Sequence, residues 1–445
     1  MVEHRNTPVD AGIVSRHLAG SGIRDMGKAS IRELVRLATD IESESGVRFI
    51  RMEMGVPGLP TPEIGVAAQV EALHNGVASQ YSLIDGLPEL KEEASRFAKL
   101  FLDIDISPES CVPSVGSMQG SFAVFMVANR NNHYRKGTLF IDPGFPVQKQ
   151  QCTVLGHEFD TFDVYAYRGE KLREKLESYL SKGLTSSILY SNPNNPAWFC
   201  LSEHELQIIG ELSQKYDVTV IEDLAYFGMD FRHDYSRPGV PPYQPTVARY
   251  TKNYVLLLST SKAFSYAGER LGIIMVSDAL FNRSYPDLLR YYTSSQFGRA
   301  LIYGALYSLS AGTGHSIQYG VAALLKSVND GVYNFVDDVR EYGRRASVMK
   351  QVLQENGFRI VYDRDEDEPI GDGFYFTFAY PGFSGAALVQ ELLYYGISAL
   401  SLEVTGSLRI DGLRACVSRF HIDDAPVLAE RLRAFRADHP LPETS

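Results

Sequence analysis

The sequence predicts an α/β fold built on a mainly parallel sheet, accompanied by a smaller second domain. Between about residues 60 and 280, short apolar runs alternate with helical patterns. Each run is nearly all apolar and leads into Gly, Pro, Asn, Asp or Ser; the clearest are GTLFIDPGFP, SSILYSNPNNP, VTVIEDLAYF, NYVLLLSTSK and RLGIIMVSD. Buried strands of a parallel sheet have this pattern, with polar loops at one end. Because ligands of such sheets bind at those loops, the residues that end the runs are the first candidates for function.

The segments on either side of this region favour a second, smaller α+β domain. Apolar residues recur at helical spacing from Ile31 to Leu37, and the segment GVPGLPTP then interrupts the pattern. The last hundred residues mix strands such as DGFYFTFAY with amphipathic helices such as FSGAALVQELLYYG. We therefore predict an N-terminal segment 1–60 that contributes to the small domain, a large domain 61–325, and a small C-terminal domain 326–445.

Composition excludes several classes of protein. A chain of 445 residues is long enough for two domains. Its net charge of −11 argues against a nucleic-acid partner. The four cysteines lie far apart, so neither a disulfide framework nor a metal site is expected. The sequence shows no signal peptide and no apolar window long enough to cross a membrane, which predicts a cytoplasmic protein.

The strongest candidate for chemistry is a lysine in STSKAFSYAGERLG, residues 259–272. Lys262 follows a buried strand, where an ammonium is costly unless its pKa falls and the amine becomes a nucleophile. The hydroxyls of Ser259 and Ser261 and the guanidinium of Arg270 are suitable donors for a bound phosphate. The alternative is an exposed loop lysine with no special role.

Two further strand ends carry polar side chains. Asp223 ends VTVIED, where it either caps the following turn or holds a carboxylate against a cationic ring nitrogen. Asn195 lies in SNPNNP, a segment that favours a turn. The side-chain amide of Asn195 could also donate a hydrogen bond to a phenolate oxygen.

An anion site and a buried arginine complete the candidates. Gly116, Ser117 and Met118 precede a helical pattern, and free N–H groups at a helix start bind anions. Arg414 lies within the apolar strand LRACV, so it pairs with either a ligand carboxylate or a structural acid.

Taken in order, these segments resemble the class I/II aminotransferases of pyridoxal 5'-phosphate (PLP) fold type I, the aspartate aminotransferase superfamily. The resemblance runs from about residue 22 to 435. Asn195 and Asp223 are 28 residues apart, Asp223 and Lys262 are 39 apart, and Lys262 and Arg270 are 8 apart, in the family's order. The resemblance implies a large PLP-binding domain with a seven-stranded, mainly parallel sheet flanked by helices.

The resemblance also implies roles at the cofactor ring. Lys262 would form a Schiff base with PLP and then move the proton at the substrate α-carbon. Asp223 would pair with the pyridinium nitrogen, and Asn195 and Tyr226 would bind the phenolic oxygen. Lys262, Asp223 and Tyr226 are therefore the implied catalytic residues.

The remaining implied roles concern phosphate, ring stacking and substrate. The phosphate would be bound by Ser117, Met118 (through its backbone), Ser259, Ser261 and Arg270. Phe145 would stack on the ring, and Tyr81 would reach the phosphate of a neighbouring subunit, which implies a homodimer with shared active sites. Arg414, Gly55 and Asn195 would bind the substrate.

Three sites depart from the family pattern. Asn-Asn-Pro is usually followed by Thr-Gly, whereas Ala197 and Trp198 follow here, and Trp198 is the only tryptophan. Phe145 stands where tyrosine is frequent, and Glu269, before Arg270, is also less usual. The first and third departures indicate a subfamily away from the well-studied aspartate and aromatic enzymes.

The function implied is transfer of the amino group of an L-amino acid to a 2-oxo acid. Because PLP supplies the chemistry and the protein selects the bond that breaks, a lyase or synthase on the same scaffold, acting by β-elimination or aminocyclopropane-type chemistry, is the alternative. A PLP-binding regulator of DNA is a third reading, disfavoured because too few residues precede Gly55 for a DNA-binding domain. The sequence leaves the amino donor and acceptor open.

Overall fold

The computed structural model describes residues 7–135 and 137–441. Its α-helices are α1 Ala11–Gly20, α2 Ile31–Ser45, α3 Glu63–His74, α4 Pro88–Leu102, α5 Gly116–Ala128, α6 Pro146–Val154, α7 Lys171–Leu180, α8 Glu203–Lys215, α9 Thr260–Ala263, α10 Asp278–Phe281, α11 Phe297–Arg299, α12 Tyr307–Ser310, α13 His315–Asn329, α14 Phe335–Glu355, α15 Gly385–Tyr394 and α16 Ala425–Asp438. A π-helical segment, Ala300–Leu306, joins α11 to α12.

The strands are β1 Ile50–Arg51, β2 Cys111–Val115, β3 Gly137–Asp142, β4 Glu158–Asp163, β5 Thr185–Ser191, β6 Thr219–Leu224, β7 Tyr254–Ser259, β8 Leu271–Val276, β9 Arg359–Ile360, β10 Arg364–Asp365, β11 Glu368–Pro369, β12 Tyr375–Ala379, β13 Ile397–Ser398, β14 Leu400–Ser401 and β15 Leu413–Cys416. The apolar runs of the sequence correspond to β3, β5, β6, β7 and β8.

The described chain divides into two compact units. The larger unit consists of Leu59–Asn194 and Cys200–Val339. The smaller unit consists of residues 7–58, 195–199 and 340–441. The sequence predicts different ranges for three segments: residues 59–60 and 326–339 lie in the larger unit, and residues 195–199 lie in the smaller one. The assignment of these ranges to functional domains remains a prediction.

The larger unit is built on a seven-stranded sheet in the order β2-β8-β7-β6-β5-β3-β4. Strands β4, β3, β5, β6 and β7 run parallel to one another, whereas β8 is antiparallel to both β7 and β2. Every residue of β3, β5, β6, β7 and β8 is buried, because helices cover both faces of a sheet of this type. The predicted α/β class with a mainly parallel sheet is confirmed.

The parallel arrangement fixes where the polar ends of the strands lie. Ser191 of β5 pairs with Asp223 of β6, and Asp223 pairs with Leu257 of β7, two residues before that strand ends. The carboxyl ends of these strands therefore lie side by side along one edge of the sheet. Helix α5 packs against β2, β7 and β8. The helix therefore lies next to β7, one of the strands that end at this edge.

The smaller unit combines helices with short sheets. Its main sheet is antiparallel in the order β14-β15-β12-β9, and β1 pairs in parallel with β13. Phe435 of α16 packs against a cluster of rings that includes Phe358, Tyr380 and Tyr395. In residues 7–135 and 137–441, no helix has the length and apolar character needed to cross a membrane.

Candidate active site

Near the end of β6, Asp223 holds a carboxylate in a buried position. Asp223 Oδ2 accepts a hydrogen bond from Gln148 Nε2 at 2.8 Å, and Oδ1 accepts one from the Ala225 amide at 3.1 Å. Burial raises the pKa of Asp223 to about 6, while the bonds from Gln148 and Ala225 and the charge of Lys262 act in the opposite direction. The structure therefore brings Asp223 and Lys262 within electrostatic range of each other, as the sequence predicts for two adjacent strand ends.

Lys262 lies in the short helix α9, directly after β7, and its side chain is half-buried. Ser259 caps this helix, since its Oγ accepts a hydrogen bond from the Ser261 amide at 3.2 Å. Thr260 Oγ1 donates to the Leu271 carbonyl of β8 at 2.7 Å and ties the turn to the sheet. The lysine therefore extends from a turn that is fixed on both sides, and the reading as an exposed loop lysine is wrong.

Gln148 was not singled out in the sequence. It lies in the first turn of α6, one helical turn after Phe145, which is the residue before that helix. Asp142, at the end of β3, is buried and forms an ion pair with Lys149 at 2.6 Å. Burial raises the pKa of Asp142 to about 6, and Lys149 opposes this rise. This ion pair holds the start of α6 against β3. It therefore also holds in place the side-chain amide of Gln148, which binds Asp223.

The start of α5 and the start of β8 approach each other closely at two glycines. Gly116 has φ +68°, and a Cβ there would overlap the guanidinium of Arg270. A Cβ on Gly272 would lie 2.6 Å from the Ser117 amide nitrogen. Arg270 itself has φ +55°, and its Nη1 donates to the Ala267 carbonyl at 2.8 Å. The guanidinium thus lies beside helix-start amides, an arrangement suited to an anion.

In the smaller unit, Arg414 of β15 is 1% exposed. Its Nη1 donates to Asn195 Oδ1 at 3.2 Å and its Nη2 to the Glu53 carbonyl at 2.5 Å. Its Nε, also buried, has no hydrogen-bond partner among the described residues. Within that same part of the chain no carboxylate forms an ion pair with Arg414, so the reading as a structural salt bridge is wrong.

Gly55 lies against an aromatic side chain of the same unit. A Cβ at position 55 would overlap Oη of Tyr375 and lie 3.1 Å from its Cζ. Any residue larger than glycine would therefore displace the tyrosine. Tyr375, like Gln148, was not singled out in the sequence.

The remaining predicted residues differ in exposure. Tyr226 follows β6 and is buried, and Phe145 is half-buried. Met118 is exposed, and Tyr81 is 95% exposed, so its side chain makes almost no contact within its own chain.

Comparison with known proteins decides the family. The profile described as aminotransferase class I and II matches residues 49–362, more than half of the chain. This chain belongs to the class I and II aminotransferases. As the sequence predicts, it is a PLP-dependent aminotransferase, and the family implies PLP as the cofactor.

The relatives of this aminotransferase are distant. It is 23% identical over 360 residues to a probable aspartate aminotransferase of Methanocaldococcus jannaschii, covering 76% of this chain and 89% of that one. It is 25% identical to the glutamate-pyruvate aminotransferase of Escherichia coli, covering 71% and 70% of the two chains. The crystal structure of aspartate aminotransferase from Thermotoga maritima superposes with a TM-score of 0.74 at 19% identity, over 95% of this chain and 99% of that one. This last likeness shows the fold.

The residues of the larger unit fit PLP. Gly116 and Gly272 leave no room for a side chain where the Arg270 guanidinium and the start of α5 come close to them. The guanidinium and the Ser117 amide are suitable donors for a phosphate. The buried Asp223 carboxylate is an acceptor for a protonated ring nitrogen, and Lys262 supplies an amine nearby.

The buried carboxylate gives a prediction for the cofactor-free protein. The pKa of Asp223 in the folded protein lies above its ordinary value of 3.8. Ionisation of this carboxyl group therefore lowers the free energy of unfolding, and the loss is complete once the group is ionised in both the folded and the unfolded state. The Asp223→Asn variant should therefore be close in stability to the wild type near pH 4 and become the more stable protein as pH rises from about 4 to about 6, above which the difference should level off at up to about 3 kcal/mol. Thermal unfolding from pH 4 to 8 measures this difference.

The matched control is Asp160→Asn, on an exposed aspartate of β4. That variant should follow the wild type at every pH. A stability difference between Asp223→Asn and the wild type that stays constant with pH would contradict the burial of the charge.

Proposed function

We propose that this aminotransferase moves the amino group of an L-amino acid to a 2-oxo acid with PLP held covalently by Lys262. The observation that carries the proposal is the buried Asp223, fixed by Gln148 and within electrostatic range of the Lys262 amine. When bound, PLP supplies an electron sink that labilises bonds at the substrate α-carbon. The proposal assigns the remaining steps to groups of the protein.

Lys262 is the proposed base and acid. Its Nζ, released when the substrate amine takes its place, would accept the proton from the substrate α-carbon and deliver it to the carbon on the other side of the amine nitrogen. The fixed turn at Ser259 and Thr260 supports this role because a proton carrier must stay within hydrogen-bond reach of both carbons.

Asp223 is proposed to keep the ring nitrogen protonated. Its carboxylate is aimed by two hydrogen bonds, from Gln148 and the Ala225 amide. A cationic ring next to it would lower its pKa, since an opposite charge favours the ionised carboxylate. Asn195 and Tyr226 are proposed to bind the phenolic oxygen, and Phe145 to stack on the ring.

The phosphate is proposed to lie at the start of α5. Arg270 supplies the guanidinium, and the amides of Ser117 and Met118 supply donors at a helix N-terminus. The hydroxyls of Ser259 and Ser261 are the proposed additional donors; both residues are buried at the end of β7.

Arg414 is proposed to bind the α-carboxylate of the substrate, with Gly55 donating its amide and Asn195 holding the guanidinium. Buried arginine rarely lacks an acidic partner, and Arg414 has none among the described residues, although its Nη1 and Nη2 are oriented. The bidentate fork of a guanidinium matches a carboxylate. Aspartate and glutamate are the first donors to test, with pyruvate as an acceptor, because the names of the relatives contain them.

Exchange of Arg414 for lysine should weaken amino-acid binding about 10- to 100-fold, because a point charge cannot replace two parallel hydrogen bonds. The half-reaction with the amino acid, followed through the cofactor absorbance, gives the apparent dissociation constant. Exchange of the exposed Arg36 for lysine is the control. Unchanged affinity in Arg414→Lys would move the carboxylate site elsewhere.

The half-reaction also separates transamination from its alternatives. Incubation with an amino acid alone should convert bound PLP to the pyridoxamine form, and a 2-oxo acid should restore it. Lys262→Ala should abolish turnover and remove the borohydride-reducible link to the protein. Release of ammonia and a 2-oxo acid without an acceptor would support β-elimination instead, and a covalent link that persists in Lys262→Ala would refute the assignment of the lysine.

We further propose that the enzyme is a homodimer in which Tyr81 reaches the partner's phosphate. Tyr81 belongs to a set of exposed apolar side chains in the larger unit: Tyr81, Leu83, Met118, Tyr303, Tyr307 and Leu309. Their segments are joined by hydrogen bonds from Gln119 to Ser310 and from Ser82 to the Thr313 carbonyl, both 2.8 Å. Exposed apolar side chains on neighbouring segments are typical of an interface.

The double variant Tyr303→Asp/Tyr307→Asp should be monomeric, because burial of two carboxylates without partners opposes association. Light scattering coupled to size exclusion measures the mass. Tyr134→Asp, on an exposed tyrosine outside this set, should stay dimeric. A wild type that is monomeric at micromolar concentration would exclude shared active sites.

A further inference from the structure

Tyr375 lies beside Arg414 on the main sheet of the smaller unit. Strand β12 pairs with β15 so that Arg414 is opposite Thr377, and Tyr375 is therefore its diagonal neighbour on the same face. The Arg414 Cζ lies over the Tyr375 ring, 4.5 Å from its centroid. Because both side chains are buried, this cation–π contact is shielded from water and is at the strong end of its range.

The other side of the tyrosine is backed by the single tryptophan. Trp198 is buried, has φ +68°, and meets the Tyr375 ring edge-on at 6.3 Å and 69°. A Cβ on Gly373 would overlap Cε2 and Cζ2 of the indole, so the indole lies directly on that glycine. Trp198 stands in the segment where the sequence departs from the family's usual Thr-Gly.

The hydroxyl end of Tyr375 has a fixed position as well. Oη occupies the space that a side chain at position 55 would need. The ring is thus bounded by Trp198 at its edge, Arg414 on its face and Gly55 at its hydroxyl.

We propose that Tyr375, backed by Trp198, is a positioning residue that sets the plane of the Arg414 guanidinium for the substrate carboxylate. The hydrogen bonds to Asn195 and Glu53 are donated by Nη1 and Nη2, at the edge of the guanidinium. The ring of Tyr375 supplies the contact on the face. This inference rests on the proposed role of Arg414 and extends it to the aromatic residues that hold the arginine.

The first test replaces the ring. Tyr375→Leu should raise the apparent dissociation constant for the amino acid in the half-reaction about tenfold with little change in the maximal rate, because binding is lost and the proton transfer is not. Tyr375→Phe keeps the ring and should stay within about twofold of the wild type. The probes are L-alanine and L-2-aminobutyrate, paired with ethylamine and propylamine, which carry no carboxylate for Arg414 to bind.

The paired amines separate positioning from general damage. An amine without the α-carboxylate cannot use Arg414, so Tyr375→Leu should leave its dissociation constant unchanged. Tyr380→Leu, on a buried tyrosine that packs against Phe358 and Phe435, is the packing control and should leave both dissociation constants unchanged.

The second test is a double-variant cycle that does not depend on the folding of Tyr375→Leu. Gly55→Ala should weaken amino-acid binding because its Cβ overlaps the Tyr375 hydroxyl. Gly55→Ala/Tyr375→Phe should recover most of the loss, since the nearest ring atom is then Cζ, 3.1 Å away. Failure of the phenylalanine to rescue would overturn the proposed place of Tyr375.

Two kinds of failure are distinguishable. If Arg414→Lys weakens amino-acid binding and Tyr375→Leu does not, the positioning role is wrong and the carboxylate site stands. If Tyr375→Leu weakens the paired amine as much as the amino acid, its effect is structural and the inference fails. If Arg414→Lys has no effect, the proposed carboxylate site itself fails.

Discussion

The rest of the candidate site depends on one buried carboxylate, Asp223, at the carboxyl end of β6. An ionised group in this position is costly, and burial leaves the pKa of Asp223 raised to about 6 even against the contacts that oppose this rise. The fold offsets that cost with directed hydrogen bonds from Gln148 and Ala225 and with the nearby charge of Lys262. Because these groups come from α6, from the turn after β6 and from α9, one charge constrains three separate connections of the sheet.

The second constraint is that polar side chains come so close to the backbone at certain positions that only glycine fits there. Both units contain such positions. At Gly116 and Gly272 this close approach brings a guanidinium and a helix start together, and at Gly55 it admits a tyrosine hydroxyl. In each case the absence of a side chain is what lets a polar group reach its position. The polar groups of the proposed site are therefore specified by small residues as much as by charged ones.

Much of this arrangement could be predicted from the sequence, because buried parallel strands are recognisable as apolar runs and their carboxyl ends lie at one edge of the sheet. Lys262 and Asp223 follow such runs, and their order and spacing with Arg270 match the family. Gln148 and Tyr375 could not be predicted from the sequence. Gln148 contacts Asp223, 75 residues away, and Tyr375 contacts Arg414, 39 residues away, and both contacts depend on packing rather than on a local pattern. The division of the chain also differs from the expected ranges, because residues 195–199 join a unit distant in sequence.

The contact between Trp198 and Gly373 links two positions that are 175 residues apart in the chain. An indole at position 198 needs the space that only glycine leaves at 373, and any other residue at 373 excludes the indole from its present place. The dependence runs in one direction: the indole at position 198 requires glycine at 373, whereas glycine at 373 leaves room for a smaller side chain at 198.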